Sequence, residues 1–319
     1  MTIPIRFSVM IATRNRCEEL RRTLRKLSEL DPMADEVLVC ADGCTDGTAE
    51  MVRREFANCV LFENQKRCGS VFSRDRMLRT ASGDIVLSLD DDSYPIDSDF
   101  LSRLATVFGA HPEAAVIAFA ELRGEKEVLA GPTADLSKGQ YVSAYPNCAA
   151  AMRRSLYGAP SKFPRFFYHM YEEPDYALQC YAAGYGVWFE PTLRVRHHLT
   201  NAQRQSMSQH HLNARNELWS VGLRCPWPWL PGMAFYRIFR QLIFAATQGL
   251  GWLLREPQWW TLAIAGCRKI IEQRRPVPWR IYRGWLRLNR EQVENEIQLR
   301  QTLGDSRFFT SSPFGSERK

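Results

Sequence analysis

The chain has 319 residues, 45% of them hydrophobic and 24% charged, with a formal net charge of +7. That size and apolar content exclude a disordered or fibrous chain and predict one large α/β domain with a smaller appendage. Nine cysteines show no CxxC pair or metal-ligand rhythm, and no charged-then-apolar leader precedes the first apolar run, so a reducing cytosol is the expected compartment.

Through residue 200, short apolar runs alternate with amphipathic stretches, the pattern of a mostly parallel sheet wrapped by helices. Strands are expected at 7–12, 36–40, 60–62, 85–89 and 115–119, and helices at 17–30, 48–56 and 99–108. The first helix sets Leu20, Leu24 and Leu27 on one face. Polar clusters fall where strands end: Thr13-Arg14-Asn15, Asp42-Gly43, and Asp90-Asp91-Asp92. Ligands of open α/β sheets bind at that carboxyl edge, so these clusters are expected to meet in one crevice.

The acidic triplet is the most telling of them. A buried strand delivering three carboxylates concentrates charge that a cation or a large pKa distortion must neutralise. A solvated charge run needs no apolar strand before it, and a helix cap needs one aspartate. Hard oxygen ligands favour Mg2+ or Mn2+, ions that recruit substrate phosphates as further ligands. Asp42 alone reads as an ordinary Asp-Gly turn. Beside a metal-diphosphate site it can instead accept a hydrogen bond from a base N–H or a ribose hydroxyl.

Residues 121–145 lose the alternation and read as a lid or acceptor-facing loop. Glu172-Glu173-Pro174-Asp175 opens a helix with the proline in its first turn. Its acids either complement the helix dipole or serve chemistry. His197 and His198 follow an apolar run and are either surface features or metal ligands. Past Trp219 come Pro226, Pro228 and Pro231, then helical stretches interrupted by Pro257, Pro276 and Pro278. A boundary near Pro231 divides a catalytic unit, 1–230, from a basic, Trp-rich helical region, 231–319, whose last dozen residues read as a frayed tail.

Charge follows the same division. Residues 1–200 carry 24 basic and 27 acidic side chains, and 201–319 carry 18 and 8. Eight of the nine tryptophans lie beyond residue 218. Within 233–254, Phe235, Ile238, Phe239, Leu242 and Ile243 recur at helical spacing, with Arg237, Arg240 and Gln241 between them. The apolar stretch 241–254 is too short to cross a bilayer. Such helices either lie in the headgroup region of an anionic leaflet, beside a lipid-linked acceptor, or pack on the catalytic unit or a second subunit. No nucleic-acid motif accompanies the basic residues, so a nucleic-acid partner is not expected.

The ordered set Ser8-Val9-Met10-Ile11-Ala12-Thr13-Arg14-Asn15-Arg16, Asp42-Gly43-Cys44-Thr45-Asp46-Gly47-Thr48, Leu89-Asp90-Asp91-Asp92 and Glu172-Glu173-Pro174-Asp175 resembles family 2 glycosyltransferases of the GT-A fold. The resemblance spans about the first 220 residues. It implies that Thr13 and Asp42 contact the nucleotide, with Arg14 and Asn15 in the same donor-binding cluster, that Asp91 meets the ribose, and that Asp90 and Asp92 hold the metal of a DxD motif. Arg74 would reach the diphosphate, and His197 would complete the metal site. Glu173 would be the general base, supported by Glu172 or Asp175. Arg204 and Arg215 fall in the family's Arg-Asn-bearing helix region, where Arg215 either stabilises the departing diphosphate or pairs, buried, with Glu217 or a helix end. Three departures stand out: Ala41 where many members have Asp, Cys44 for Ser, and Asp75 for Asn. Gln179 also replaces a frequent Arg.

The expected function is therefore a metal-dependent, inverting transfer of a sugar from a UDP, dTDP or GDP donor to a hydroxyl acceptor, in cell-surface polysaccharide assembly. The alternatives are a sugar nucleotidyltransferase of similar fold and a non-catalytic, membrane-associated nucleotide-sugar-binding protein.

Overall fold

The computed structural model describes residues 5–158, 160–198 and 206–304. Arg204 and the expected frayed tail lie outside the described residues. In chain order the first half runs β1 (Phe7–Thr13), α1 (Cys17–Leu27), β2 (Glu36–Asp42), α2 (Thr48–Glu55), β3 (Val60–Asn64), α3 (Ser70–Thr80), β4 (Ile85–Asp90), β5 (Ser93–Pro95), α4 (Phe100–Ala110) and β6 (Ala114–Arg123). Next come β7 (Val128–Ala130), β8 (Gln140–Tyr141), β9 (Ala150–Arg153), α5 (Glu172–Ala182) and β10 (Gly186–His197). The C-terminal helices are α6 (Met207–Arg224), α7 (Leu230–Gln248), α8 (Leu250–Leu253), α9 (Pro257–Ala265), α10 (Cys267–Gln273), α11 (Trp279–Arg287) and α12 (Glu296–Leu303).

The strands form one sheet in the order β3-β2-β1-β4-β9-β6-β10-β5, with β7 added to β6 and β8 to β10. Four of the seven neighbour pairs along that path are parallel: β3 with β2, β2 with β1, β1 with β4, and β6 with β10. Central strands covered on both faces must be apolar on both, and Val9, Met10 and Ile11 of β1 are all fully buried. Helix α1 buries Leu20, Leu24 and Leu27, as its spacing predicts.

The departure from simple alternation is β9, which enters antiparallel between β4 and β6. Its register, Ala150 beside Ser88, brings the turn Asn147–Ala149 to the carboxyl end of β4. The 121–145 stretch contains the β6–β7 hairpin and the two-residue strand β8.

The C-terminal helices divide by packing. Ile281, Tyr282 and Trp285 of α11, with Leu299 and Leu303 of α12, join the same apolar core as the sheet. Trp285 donates its indole N–H to the Ser143 carbonyl at 2.6 Å. Helices α7 to α10 instead leave large apolar side chains in the open: Phe235 is 71% exposed, Leu250 69%, Ile264 71% and Ile271 75%. Among the described residues, no helix is long and apolar enough to cross a membrane.

Candidate active site

Parallel register decides which polar clusters meet. Ala12 lies beside Asp90, and Thr13 beside Ala41, so the ends of β1, β2 and β4 share one edge. The side chains confirm the meeting. Thr13 Oγ1 donates to Asp91 Oδ2 at 2.7 Å. Asn15, at φ 54°, accepts from the Thr45 N–H at 2.7 Å and so stitches the β1 loop to the β2 loop. Arg14 is exposed at the same rim.

Asp42 turns inward. Its oxygens accept from the Asn64 amide at 2.8 Å and from the backbone N–H groups of Cys68 and Gly69 at 2.7 and 2.8 Å, fastening the loop ahead of α3. Gly69 has φ 94°, and a Cβ there would collide with the Tyr168 carbonyl, so the close approach of these two loops requires glycine.

The three aspartates have three different surroundings. Asp90 pairs with the Arg74 guanidinium. Asp91 is held by Thr13 and lies 3.1 Å from Arg16 Nε, yet burial pushes its carboxyl up to about 7 against the opposing pull of Arg16 and Thr13. Asp92 meets Arg16 Nη2 at 2.7 Å and His197 Nε2 at 3.3 Å. Burial raises the carboxyl of Asp92, but His197 and Arg16 outweigh it, and the net shift is downward.

His197 arrives on the last residue of β10, with Nδ1 2.8 Å from Glu121 Oε2. Burial disfavours its charged form, while hydrogen bonds to Asp92, Cys148 and Glu121 overcome that and raise its pKa. Among the described residues, Asp90, Cys148 and His197 offer an oxygen, a sulfur and a nitrogen all within 4.8 Å of one another. A set of this kind can hold a divalent cation. His198 points away, to the Tyr94 hydroxyl at 2.9 Å.

Arg74 joins this edge to the acidic helix. Buried in α3, it holds Asp90 with one nitrogen and Glu172 Oε1 with another, at 3.1 Å. The same Glu172 oxygen accepts from the Asn147 amide at 3.0 Å. Glu172 Oε2, Asn147 Oδ1 and Arg74 Nε are buried without a hydrogen-bond partner. Orphaned polar atoms cost free energy unless a ligand satisfies them. Glu173 is half-buried beside them, and burial, then repulsion from Glu172, raises its pKa well above that of an ordinary glutamate.

Helix α5 starts from a constrained segment in which Tyr168, Met170 and Tyr171 all have positive φ (69°, 72° and 68°). Asn216 of α6 holds it by donating to the carbonyls of Phe167, His169 and Met170 at 3.1, 2.8 and 2.8 Å. Arg215 serves the same neighbourhood: it donates to the Phe167 carbonyl at 2.9 Å and lies 4.3 Å over the Trp219 ring. Neither its expected ion pair with Glu217 nor a contact with the Asp triplet is among these bonds. Glu217 pairs with Arg237 and Arg240 instead.

Asp175 faces away from Glu173 and is forked by Arg224 at 3.0 and 2.9 Å, with Ser220 at 2.7 Å and Gln179 at 2.8 Å. Gln179 and Arg224 both bond Asp175, so the guanidinium on that carboxylate comes from α6. The fully buried Asp75 carboxylate ties α3 to Arg165 and Tyr157 and pairs with Arg79 one turn on.

Arg16, Glu121, Asn147 and Cys148 were not singled out by the sequence. Arg16 ends a quoted motif and offered a faint signal. Asn147 and Cys148 sit in a segment whose position depends on the antiparallel turn of β9, which no periodicity announces.

Residues 8–159 match the family described as Glycosyl transferase family 2. No curated protein matches the chain in sequence. Solved structures similar in fold include the mannosyltransferase PcManGT from Pyrobaculum calidifontis, in complex with GDP-Man and Mn2+, at 20% identity over 86% of this chain and 85% of that one, with a TM-score of 0.56. S. aureus TarS 1-349 in complex with UDP-GlcNAc is similar at 15% identity over 94% and 91%, with a TM-score of 0.59. The sheet, its carboxyl-edge cluster and the two comparisons agree: residues 8–159 match glycosyl transferase family 2, and the chain has the fold of the GT-A glycosyltransferases.

Proposed function

We propose that the protein moves a sugar from a nucleotide diphosphate donor to an acceptor hydroxyl in a single inverting displacement, with a divalent cation in the donor site. The observation that carries this reading is the Arg74 bridge, which ties Asp90 of the donor edge to Glu172 beside Glu173, with unsatisfied polar atoms on Arg74, Asn147 and Glu172. GDP-Man with Mn2+ in the PcManGT complex, and UDP-GlcNAc in the TarS complex, support a nucleotide-sugar donor.

Asp90 and His197 would hold the cation, with Cys148 in the same cluster and Asp92 through its His197-facing oxygen. The mixed oxygen, nitrogen and sulfur set favours Mn2+ over Mg2+. When bound, the cation offsets negative charge on the leaving diphosphate.

The protein's own groups do the rest. Thr13, Arg14, Asn15 and Asp42 form the nucleotide end of the crevice, Asp91 meets the ribose, and Arg74 turns its guanidinium to the diphosphate. Glu173 accepts the acceptor proton, a task suited to a carboxylate whose pKa lies nearer neutrality than usual. A single displacement needs one base and no covalent intermediate. The exposed apolar face of α7 to α10, in the basic third of the chain, supports a peripheral seat on an anionic leaflet at the cytoplasmic face, and with it a lipid-linked acceptor in polysaccharide assembly.

The test is calorimetric titration of UDP-, GDP- and dTDP-sugars, with and without Mn2+, into the wild type, Asp90→Asn and Glu173→Gln. We expect Mn2+-dependent binding of one donor class, lost in Asp90→Asn and kept in Glu173→Gln. Transfer in Glu173→Gln should fall by about 10²–10⁴. Retained transfer in that variant removes Glu173 from the role of base, and no donor binding to folded protein removes the reading as a whole.

A further inference from the structure

We propose that an arginine-lined cleft beside the start of α5 is the acceptor subsite, and that it takes a phosphate-class oxyanion carried by the acceptor. The proposal rests on the glycosyl-transfer reading above, with Glu173 as base. The cleft has a volume of about 600 Å³. Tyr171 and Pro174 line it, so Glu172 and Glu173 lie between two of its lining residues in the chain.

Five of the lining residues are cationic. Arg237 and Arg240 come from α7, and Arg283, Arg287 and Arg290 from α11 and the turn after it. Glu217 is the acidic side chain in the lining, and it is already occupied by Arg237, Arg240, Gln241 and the Tyr171 hydroxyl. Arg287 pairs with Glu291 at 2.8 Å. Arg283 and Arg290 have no ion-pair partner among the described residues. Arg237 is 7% exposed, and its Nε is buried with no hydrogen-bond partner.

Converging guanidinium groups repel one another, and a buried unpartnered N–H adds to that cost. An anion with several oxygens removes both costs, because each planar fork can bind two of them. A phosphate fits this better than a carboxylate, which has too few oxygens for so many donors. The donor diphosphate is not the natural occupant: the donor edge has its own cations in Arg16 and Arg74, and no member of the Asp triplet lines this cleft. Tyr171, Tyr236 and Trp285 add aromatic surface against which the acceptor's less polar part can lie.

The experiment compares the full chain with Arg283→Gln/Arg290→Gln, both exposed positions whose replacement leaves the core intact. Inorganic phosphate is titrated by calorimetry without divalent metal, and the nucleotide sugars with Mn2+ in parallel. We expect phosphate to bind the wild type in a salt-sensitive manner and about tenfold or more weakly in the double variant, with donor binding equal in both. Phosphate binding absent from the wild type, or equal in the variant, overturns the proposal. If donor binding stands while phosphate binding fails, the acceptor subsite alone falls. If no donor binds, the transferase reading falls with it.

Sedimentation with phosphatidylglycerol and phosphatidylcholine vesicles separates the sources of the phosphate. Weaker binding of the double variant to the anionic vesicles assigns the cleft to a lipid-borne phosphate. Vesicle binding unchanged by the substitutions, with phosphate binding lost, assigns it to a soluble phosphorylated acceptor.

Discussion

Glu172 and Glu173 are adjacent in sequence and alike in chemistry, yet their surroundings separate them. Glu172 has one oxygen held by Arg74 and Asn147, whereas Glu173 receives the repulsion of its neighbour along with burial. A base acts when deprotonated, so transfer should fall as pH drops through the raised pKa of Glu173, with the acidic limb of kcat/KM nearer neutrality than an ordinary carboxylate would give. Glu172→Gln removes the repelling charge and should move that limb to lower pH, a shift that a pH–rate profile reads directly. A limb that does not move would mean that Glu172 does not act on Glu173 electrostatically. The sequence singled out both acids, but their division of labour depends on Arg74, 98 residues away in the chain, and no local pattern encodes that contact.

Among the elements, α6 fixes the start of α5. Its Asn216 holds the left-handed segment ahead of α5, and its Arg224 and Ser220 pin Asp175 one turn into that helix. Arg224→Leu leaves the buried Asp175 carboxylate without its cation and should cost about 3–5 kcal/mol in a urea unfolding titration, because the uncompensated charge is worse than the missing pair. A loss under about 1 kcal/mol would show that Gln179 and Ser220 suffice, hydrogen bonds to charged groups contributing about 1.5–3 kcal/mol each.

Most elements were legible. The apolar runs Val9 to Ile11 and Ile85 to Leu89 announce β1 and β4, and the first turn of α5 follows from Pro174, whose missing N–H lies at a free helix start. The placement of β9 was not legible: Ala150-Ala151-Met152-Arg153 is short and reads equally as loop, and its antiparallel pairing to β4 and β6 is a tertiary choice. Cys148 and Asn147 were missed for that reason.

At the scale of the molecule, the C-terminal helices combine two behaviours that composition alone left open. Helices α11 and α12 contribute to the main core, while α7 to α10 expose Phe235, Phe239, Ile243 and Leu250. Positions 235, 239 and 243 recur every four residues, so they form one stripe on α7. Phe235→Ser/Phe239→Ser should weaken co-sedimentation with phosphatidylglycerol vesicles by about 1.5–3 kcal/mol for each aromatic side chain that enters the interface, with donor binding unchanged. Equal sedimentation of variant and wild type would assign the stripe to another partner.

Residues 8–159, which match the family, carry Asp90 and Arg74, whereas Glu172 lies beyond them, so one guanidinium joins the two stretches of chain. On the proposed reading, an arriving diphosphate would compete with both carboxylates for that guanidinium and thereby loosen its hold on Glu172. The proposed function then predicts an order of substrate addition: donor first, acceptor second. Steady-state kinetics should show the free nucleotide diphosphate competing with the donor and acting as a mixed inhibitor against the acceptor. Arg74→Lys, which keeps the charge but loses the fork, should blur that order toward random addition.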